Sequence, residues 1–233
     1  MKVTLFIPTL NEHEAMQVIM PQIKDSWVDQ IIIADGQSKD GTVDYAKKQG
    51  YDVYIQKRPG IRNAYIEAWP MIRGDIVITF SPDGNCQVAQ IPELIAEMEK
   101  GYDMVVASRY YRGMKSEDDD PMTAFGNWLF TTTINVLHGG HYTDAMGIYR
   151  AYRVNLFQEL DLHKEESYVT EKIFRCVMGC EPLLSVRAAK RKLKIGEIAG
   201  PEPKRIGGVR KLLPFRWGGS YMLQVWRELY YWK

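Results

Sequence analysis

The sequence is short of cysteine, of long apolar runs and of net charge. Three cysteines, Cys86, Cys176 and Cys180, stand among 233 residues. They cannot all pair and form no disulfide framework, which points to a reducing compartment. Cys176 and Cys180 lie four apart with no His or Cys cluster nearby. Core packing on one helix face is expected there rather than a metal site. No stretch approaches the ~18 consecutive apolar residues of a membrane-spanning helix. The opening MKVTLFIPTLNEHE carries an apolar run too short for a signal peptide and no small-residue cleavage site. A cytoplasmic protein is expected, in solution or peripheral on the cytoplasmic membrane face. The formal net charge is only +1, so no overall field draws nucleic acid. Hydrophobic residues at 45% and charged residues at 25% exclude disordered and collagen-like chains. The length suits one large domain better than two small ones.

What is present is a run of short apolar segments between helical patterns. Strands are expected at Val3–Pro8, Gln30–Ala34, Tyr51–Gln56, Asp75–Phe80 and Asp103–Ser108. Helices are expected over 12–24, 42–49, 61–69 and 91–100, with Pro21 shortening the first. Continuous apolar strands alternating with helices mean βαβ units and a mostly parallel sheet covered on both faces. The second half reads differently. Residues 111–122 are polar and carry four acids in a row, Glu117 to Asp120. They read as a solvated loop or as a loop that orders over substrate. Helices are expected over 123–137 and 163–179. Ten Lys/Arg lie between Arg187 and Arg216 against only Glu197 and Glu202. The tail from Tyr221 to Lys233 is rich in Trp and Tyr. It reads as a last helix with Met222, Val225, Trp226 and Leu229 on its core face, or as an interfacial element. The division expected is one domain over 1–213 and a tail or helix over 214–233.

Ligands of parallel α/β sheets sit at the carboxyl ends of the strands. After the first strand stand Pro8, Thr9, Leu10, Asn11 and Glu12. After the second stand Asp35, Ser38, Asp40, Gly41 and Thr42. Ser81, Pro82, Asp83, Gly84 and Asn85 follow the DIVITF strand, and Ser108, Arg109 and Tyr110 follow DMVVAS. Each group alone reads as a cap or a turn. Together they form an acidic crevice suited to a divalent cation with oxygen ligands and a bound diphosphate.

The order of these residues resembles the family 2 glycosyltransferases. Ile7-Pro8-Thr9-Leu10-Asn11-Glu12 matches that family's [I/V]-P-x-x-N-E turn, and Asp35-Gly36-Gln37-Ser38-Lys39-Asp40-Gly41-Thr42 its D-G-x-S-x-D-G-T turn. Ala107-Ser108-Arg109-Tyr110, residues 143–153 and Arg205-Ile206-Gly207-Gly208-Val209-Arg210-Lys211-Leu212 resemble segments of the dolichyl/polyprenyl-phosphate mannosyltransferase branch. The resemblance covers residues 3 to about 213. It implies an α/β GT-A nucleotide-sugar-binding fold and an inverting transfer from a nucleotide-diphosphate sugar to polyprenyl phosphate or a membrane-proximal glycan.

The resemblance also assigns roles. Pro8, Leu10, Glu12, Asp35, Ser81, Pro82, Asp83, Asn85 and Arg109 are expected around the nucleotide sugar. Asp83 and Asn85 are expected to hold Mg²⁺ or Mn²⁺. Arg109, Arg205 and Lys211 are expected to place positive charge around phosphates. Asp144 is the expected base for a hydroxyl acceptor. For a lipid phosphate no strong base is required, and Asp144 would orient Arg150 or the cation instead. Two departures stand out. The family's D-A-D-x-Q metal motif is Ser81-Pro82-Asp83-Gly84-Asn85 here, with one acid missing, and Arg210 replaces the serine before Lys211. Two other readings remain open at this point: a degenerate, sugar-nucleotide-binding partner subunit, and a sugar-phosphate nucleotidyltransferase. The latter usually carries a Gly-rich loop after the first strand, and this strand ends without glycine.

Overall fold

The computed structural model describes residues 1–206 and 214–232. The first half alternates as the apolar pattern requires: β1 (Val3–Thr9), α1 (His13–Ile19), β2 (Gln30–Asp35), α2 (Thr42–Lys48), β3 (Asp52–Ile55), α3 (Ile61–Ala68), β4 (Ile76–Thr79), α4 (Gln90–Glu99) and β5 (Met104–Ser108). Pro21 falls in a short 3-10 turn, Met20–Gln22, that closes α1 early. The second half adds α5 (Pro121–His138), β6 (Arg150–Arg153), α6 (Leu156–Glu159), α7 (Val169–Phe174), α8 (Glu181–Lys190), β7 (Ile195–Ala199) and α9 (Pro214–Arg227).

The seven strands form one sheet in the order β3-β2-β1-β4-β6-β5-β7. β6 runs antiparallel to β4 and β5, and every other pairing is parallel. Alternate residues of each strand feed opposite faces. Phe6, Ile32, Val77, Met104 and Val106 pack under α3, α5, α8 and α9 with Tyr65, Ile134, Leu184 and Val225. Leu5, Ile7, Ile33, Ile78 and Val105 pack under α1, α2 and α4 with Met16, Ala46 and Leu94. The mostly parallel sheet with helices on both faces is therefore present as expected.

Several local expectations are corrected. The helix expected over 163–179 is a 3-10 turn, Glu165–Tyr168, followed by the short α7. Arg175 ends α7 in a left-handed conformation (φ 50°). Cys176 thus lies in a loop and buried Cys180 caps α8, so the two do not share a helix face. On α9 the buried side chains are Ser220, Tyr221, Gln224 and Val225, while Trp226 is half exposed. α9 packs against α5, α7 and α8. The basic segment is not one surface: Arg187 is wholly buried within α8.

Arg187 anchors the chain's last turn. Its guanidinium meets buried Glu228 through Nε–Oε2 at 2.9 Å and Nη2–Oε1 at 3.0 Å, and donates to the Leu160 carbonyl at 2.7 Å. Trp232 covers it, with the ring centroid 4.9 Å from Cζ. Arg187→Met is expected to cost about 3–5 kcal/mol, because it strands the Glu228 charge in the core. Urea unfolding will read this, and Arg187→Met/Glu228→Leu should recover most of the loss.

Candidate active site

The carboxyl ends of β1, β2, β4, β5 and β7 all reach one edge of the sheet, because these strands run the same way. The antiparallel β6 starts at that edge, so the 144–149 loop enters there too. The first two motifs are laced together. Thr9 Oγ1 donates to Asp35 Oδ2 at 2.9 Å, and the amides of Asn11, Glu12 and His13 donate to Ser38 Oγ, Thr42 Oγ1 and Asp40 Oδ2. The Asn11 Oδ1 accepts from the Lys39 amide at 2.9 Å. Asn11 adopts φ 55°, a conformation Asn tolerates better than most residues. Asp35 is fully buried and also accepts from the Ser38 amide and hydroxyl at 2.8 and 2.6 Å. Its carboxylate holds the turn, whose outer side bounds an open cavity of about 440 Å³ with Gln37, Lys39 and Ile55.

A second, polar cavity of about 230 Å³ lies at the ends of β4, β5 and β7. Ser81, Asp83, Asn85, Arg109, Glu202 and Arg205 line it. Gly84 turns the 81–85 segment at φ 93°. Asp83 Oδ1 accepts from the Asn85 amide at 3.1 Å, and its Oδ2 lies 3.8 Å from Arg205 Nη1. The Asn85 side-chain Nδ2 donates to the Pro203 carbonyl at 2.8 Å. Gly200 brings the β7 end in close, since a Cβ there would meet the Ala107 carbonyl carbon and oxygen at 2.5 Å.

Arg109 is the centre of the arrangement. Nε donates to Asp144 Oδ2 at 2.6 Å, and Nη2 donates to Asp144 Oδ1 at 3.0 Å and to Asn127 Oδ1 at 3.1 Å. Asp144 is fully buried and also accepts from the amides of Met146 and Gly147 at 3.1 and 3.0 Å. Burial pushes its carboxyl up, but the Arg109 charge and these hydrogen bonds outweigh it and hold the pKa below the usual range. Asp144 is thus engaged as an ion-pair partner that aims Arg109. It does not pair with Arg150, whose guanidinium donates to the carbonyls of Gly147, Ala145 and Glu181 and to Ser185 Oγ.

The lowered pKa sets a pH dependence. The Asp144 contribution is present above the ordinary Asp range and is lost as pH falls through the lower folded value. Asp144→Asn is expected to destabilise by about 3 kcal/mol at neutral pH. The gap should close in strong acid, which melting curves across pH will show.

Glu202 and Asn127 were not among the expected site residues. Burial raises the Glu202 pKa, with the Arg109 charge opposing it. Its Oε2 lies 3.6 Å from Arg109 Nη1. Glu202 stands three residues before Arg205, the first residue of the basic motif, and this position was the available signal. Lys211 lies outside the described residues, as do the last six residues of its motif. Glu12 is half-buried, and its charge is among those that raise the pKa of Arg205.

A groove of about 710 Å³ opens on the other side of Arg109, between α5 and α9. Met122, Phe125, Leu129, Phe130, Trp217 and Tyr221 give it an apolar wall. Arg109, Met146 and Ile148 line both this groove and the polar cavity. Phe125 and Phe215 of the groove lining are 60% and 85% exposed, and Trp128 on α5 is 60% exposed.

The sequence model of glycosyl transferase family 2 matches residues 4–161. The chain belongs to this family. It is 25% identical over 228 residues to glycosyltransferase AglJ of Haloferax volcanii, covering 97% of this chain and 71% of that one. It is 29% identical over 177 residues to the undecaprenyl-phosphate mannosyltransferase of Micrococcus luteus, covering 72% of each. Glucosyl-3-phosphoglycerate synthase of Mycobacterium tuberculosis, crystallised with Mn²⁺, UDP and its glucosyl product, superposes with a TM-score of 0.64 at 18% identity. That superposition covers 98% of this chain and 79% of the synthase and shows a shared GT-A fold. No helix among the described residues is long and apolar enough to cross a membrane.

Proposed function

We propose that this family 2 transferase moves a sugar from a nucleotide-diphosphate donor to a polyprenyl phosphate, with inversion at the anomeric carbon. The observation that carries this reading is the meeting of a polar, arginine-bearing cavity and an apolar groove at one side chain, Arg109. A diphosphate suits the first, a prenyl chain the second, and Arg109 is aimed at the junction. The names of the Micrococcus luteus relative and of a dolichyl-phosphate hexose transferase of Haloferax volcanii support the acceptor class. The Mn²⁺ and UDP of the mycobacterial synthase support the donor class.

In this reading the nucleoside lies over the laced turns near Pro8, Leu10, Glu12 and Asp35. The diphosphate reaches the cavity of Ser81, Pro82, Asp83 and Asn85. An acceptor phosphate oxygen attacks the anomeric carbon as the bond from that carbon to the donor diphosphate breaks. The phosphate is already ionised, so no proton has to be removed at the attacking atom. This agrees with Asp144, whose buried, ion-paired carboxylate serves orientation better than proton transfer. Arg109 and Arg205 neutralise phosphate charge, and Arg109 does so with a preorganised guanidinium. Lys211 is proposed to add to this charge.

The donor set around Asp83 fits a divalent cation that takes its remaining ligands from substrate and water. Asp83 supplies a carboxylate, and Asn85 and Ser81 line the same wall. No cluster of three acidic, His or Cys groups stands ready among the described residues. Mg²⁺ commonly binds through one or two carboxylates plus substrate phosphates. Such a cation would offset charge on the leaving diphosphate. The exposed Phe125, Trp128, Phe215 and Trp226 are proposed to meet the lipid–water interface, where amphipathic rings are favoured.

The deciding experiment is a thermal-shift panel of UDP, GDP, CDP and dTDP sugars with and without Mg²⁺ or Mn²⁺, followed by transfer to polyprenyl phosphate in vesicles. A shift with one nucleotide, and an anomer inverted in the lipid product, are expected. Transfer only to a free glycan would replace the acceptor assignment. A shift with a donor but transfer to no acceptor would favour the partner-subunit reading.

A further inference from the structure

The acidic run has no part in the mechanism above, yet it lies across the cations of the polar cavity. Nε and Nη2 of Arg109 are committed to Asp144 and Asn127. Nη1 makes no such hydrogen bond among the described residues and faces Asp119 Oδ2 at 3.9 Å and Glu202 Oε2 at 3.6 Å. Arg205 Nη2 donates to Asp118 Oδ2 at 2.9 Å. Both arginines therefore point a donor edge at a carboxylate of one strap.

The strap is pinned at the same place. The Ser116 hydroxyl donates to Glu202, and its oxygen accepts from the amides of Asp118 and Asp119 at 3.1 and 3.0 Å. The Glu117 amide donates to the Glu202 carbonyl at 2.9 Å. The Tyr110 hydroxyl holds Asp119. Asp120 then caps α5 by accepting from the Thr123 amide at 2.8 Å. The strap is thus folded against Glu202, Arg109 and Arg205, which line the polar cavity, while Asp119 itself lines the adjoining groove.

We propose that Asp118 and Asp119 act as an internal counter-anion that sets the charge a ligand must carry to enter the polar cavity. A diphosphate brings adjacent negative charges and replaces both carboxylates at Arg205 and Arg109. A single phosphate replaces one and remains beside the other, which repels it. Discrimination here comes from a repulsive element as much as from the attraction of the arginines. This rests on the reading that the cavity takes the donor diphosphate, and it names the residues that select for that charge.

The test uses the full chain, EDTA and two probes, inorganic pyrophosphate and inorganic phosphate, with binding read by calorimetry. Asp118→Asn/Asp119→Asn keeps side-chain volume and an acceptor oxygen while removing both charges. Its affinity for pyrophosphate is expected to rise about tenfold, the scale of two partly exposed ion pairs. Its affinity for phosphate should rise more, so that the preference for pyrophosphate shrinks. Glu117→Gln, exposed on the same strap, should change neither affinity, which separates a local exchange from a general charge effect. Equal pyrophosphate affinity in wild type and the double variant would overturn the strap proposal and leave the cavity reading standing. Binding of neither probe to either protein would overturn the cavity reading and the strap with it. Melting curves confirm that each variant is folded at the assay temperature.

Discussion

Arg109→Ala is expected to reduce sugar transfer by about a thousandfold, the scale of losing a preorganised charge at developing phosphate charge. Two effects are mixed in that variant. It removes the only arginine that lines both the polar cavity and the apolar groove among the described residues. It also strands Asp144, which is wholly buried, and this should cost about 3–5 kcal/mol of stability. Arg109→Ala/Asp144→Asn separates the two. Taking the charge off Asp144 should return much of the lost stability, and transfer should stay at the level of the single variant. Arg109→Lys should keep the charge but lose the fork that meets Asp144 through two nitrogens, giving an intermediate loss. A folded double variant that retained near-normal kcat/KM with polyprenyl phosphate would remove Arg109 from the reaction.

The first half of the fold was legible because four of its five strands, β1, β2, β4 and β5, are buried almost throughout. All five expected segments became strands within a residue or two of the expected limits, including the half-polar edge strand β3. The second half hid its strands behind charge. β6 reads Arg-Ala-Tyr-Arg, and nothing local shows that Arg150 is fully buried. Its guanidinium is satisfied by the carbonyls of Ala145, Gly147 and Glu181, from segments up to 31 residues away. α8 is hidden for the same reason, since Arg187 is neutralised by Glu228 from 41 residues later. An edge strand of five residues with Gly and Glu, β7, offers too little periodicity to be read alone.

The site divides along a similar line. Motif residues on strand ends could be placed at one sheet edge, because parallel strands bring their carboxyl ends together. The partners chosen by those residues were not legible. Asp144 was expected beside Arg150 or at a hydroxyl acceptor, and it pairs instead with Arg109 from the neighbouring strand end. The Asn127 contact depends on how α5 lies across the sheet, which no local pattern specifies. The acidic run read first as a solvated loop, with a loop ordered over substrate as the alternative. Its pairing with Arg109 and Arg205 is a long-range charge match between loops that sequence distance conceals.

Asp83→Asn carries the second large expected effect. Asp83 Oδ1 accepts from the Asn85 amide, and an asparagine oxygen can keep that turn. What is lost is the negative charge that faces Arg205 at 3.8 Å and lines the cavity. With serine at position 81, Asp83 is the one acid left in the motif, so no second carboxylate compensates. Transfer is expected to fall about a hundredfold, in the range found when a single electrostatic contact to developing charge is removed. The more telling readout is binding. Wild type should be stabilised by a nucleoside diphosphate more strongly when Mg²⁺ or Mn²⁺ is present, by mass action on the folded state. In Asp83→Asn that cation-dependent increment should vanish while the cation-independent part remains, because Arg109 and Arg205 are intact. Ser81→Asp should move the increment the other way, since it restores a second carboxylate on the cavity wall. An unchanged increment in Asp83→Asn would take the cation away from this motif, and Arg109 and Arg205 would be left as the charges that oppose the diphosphate.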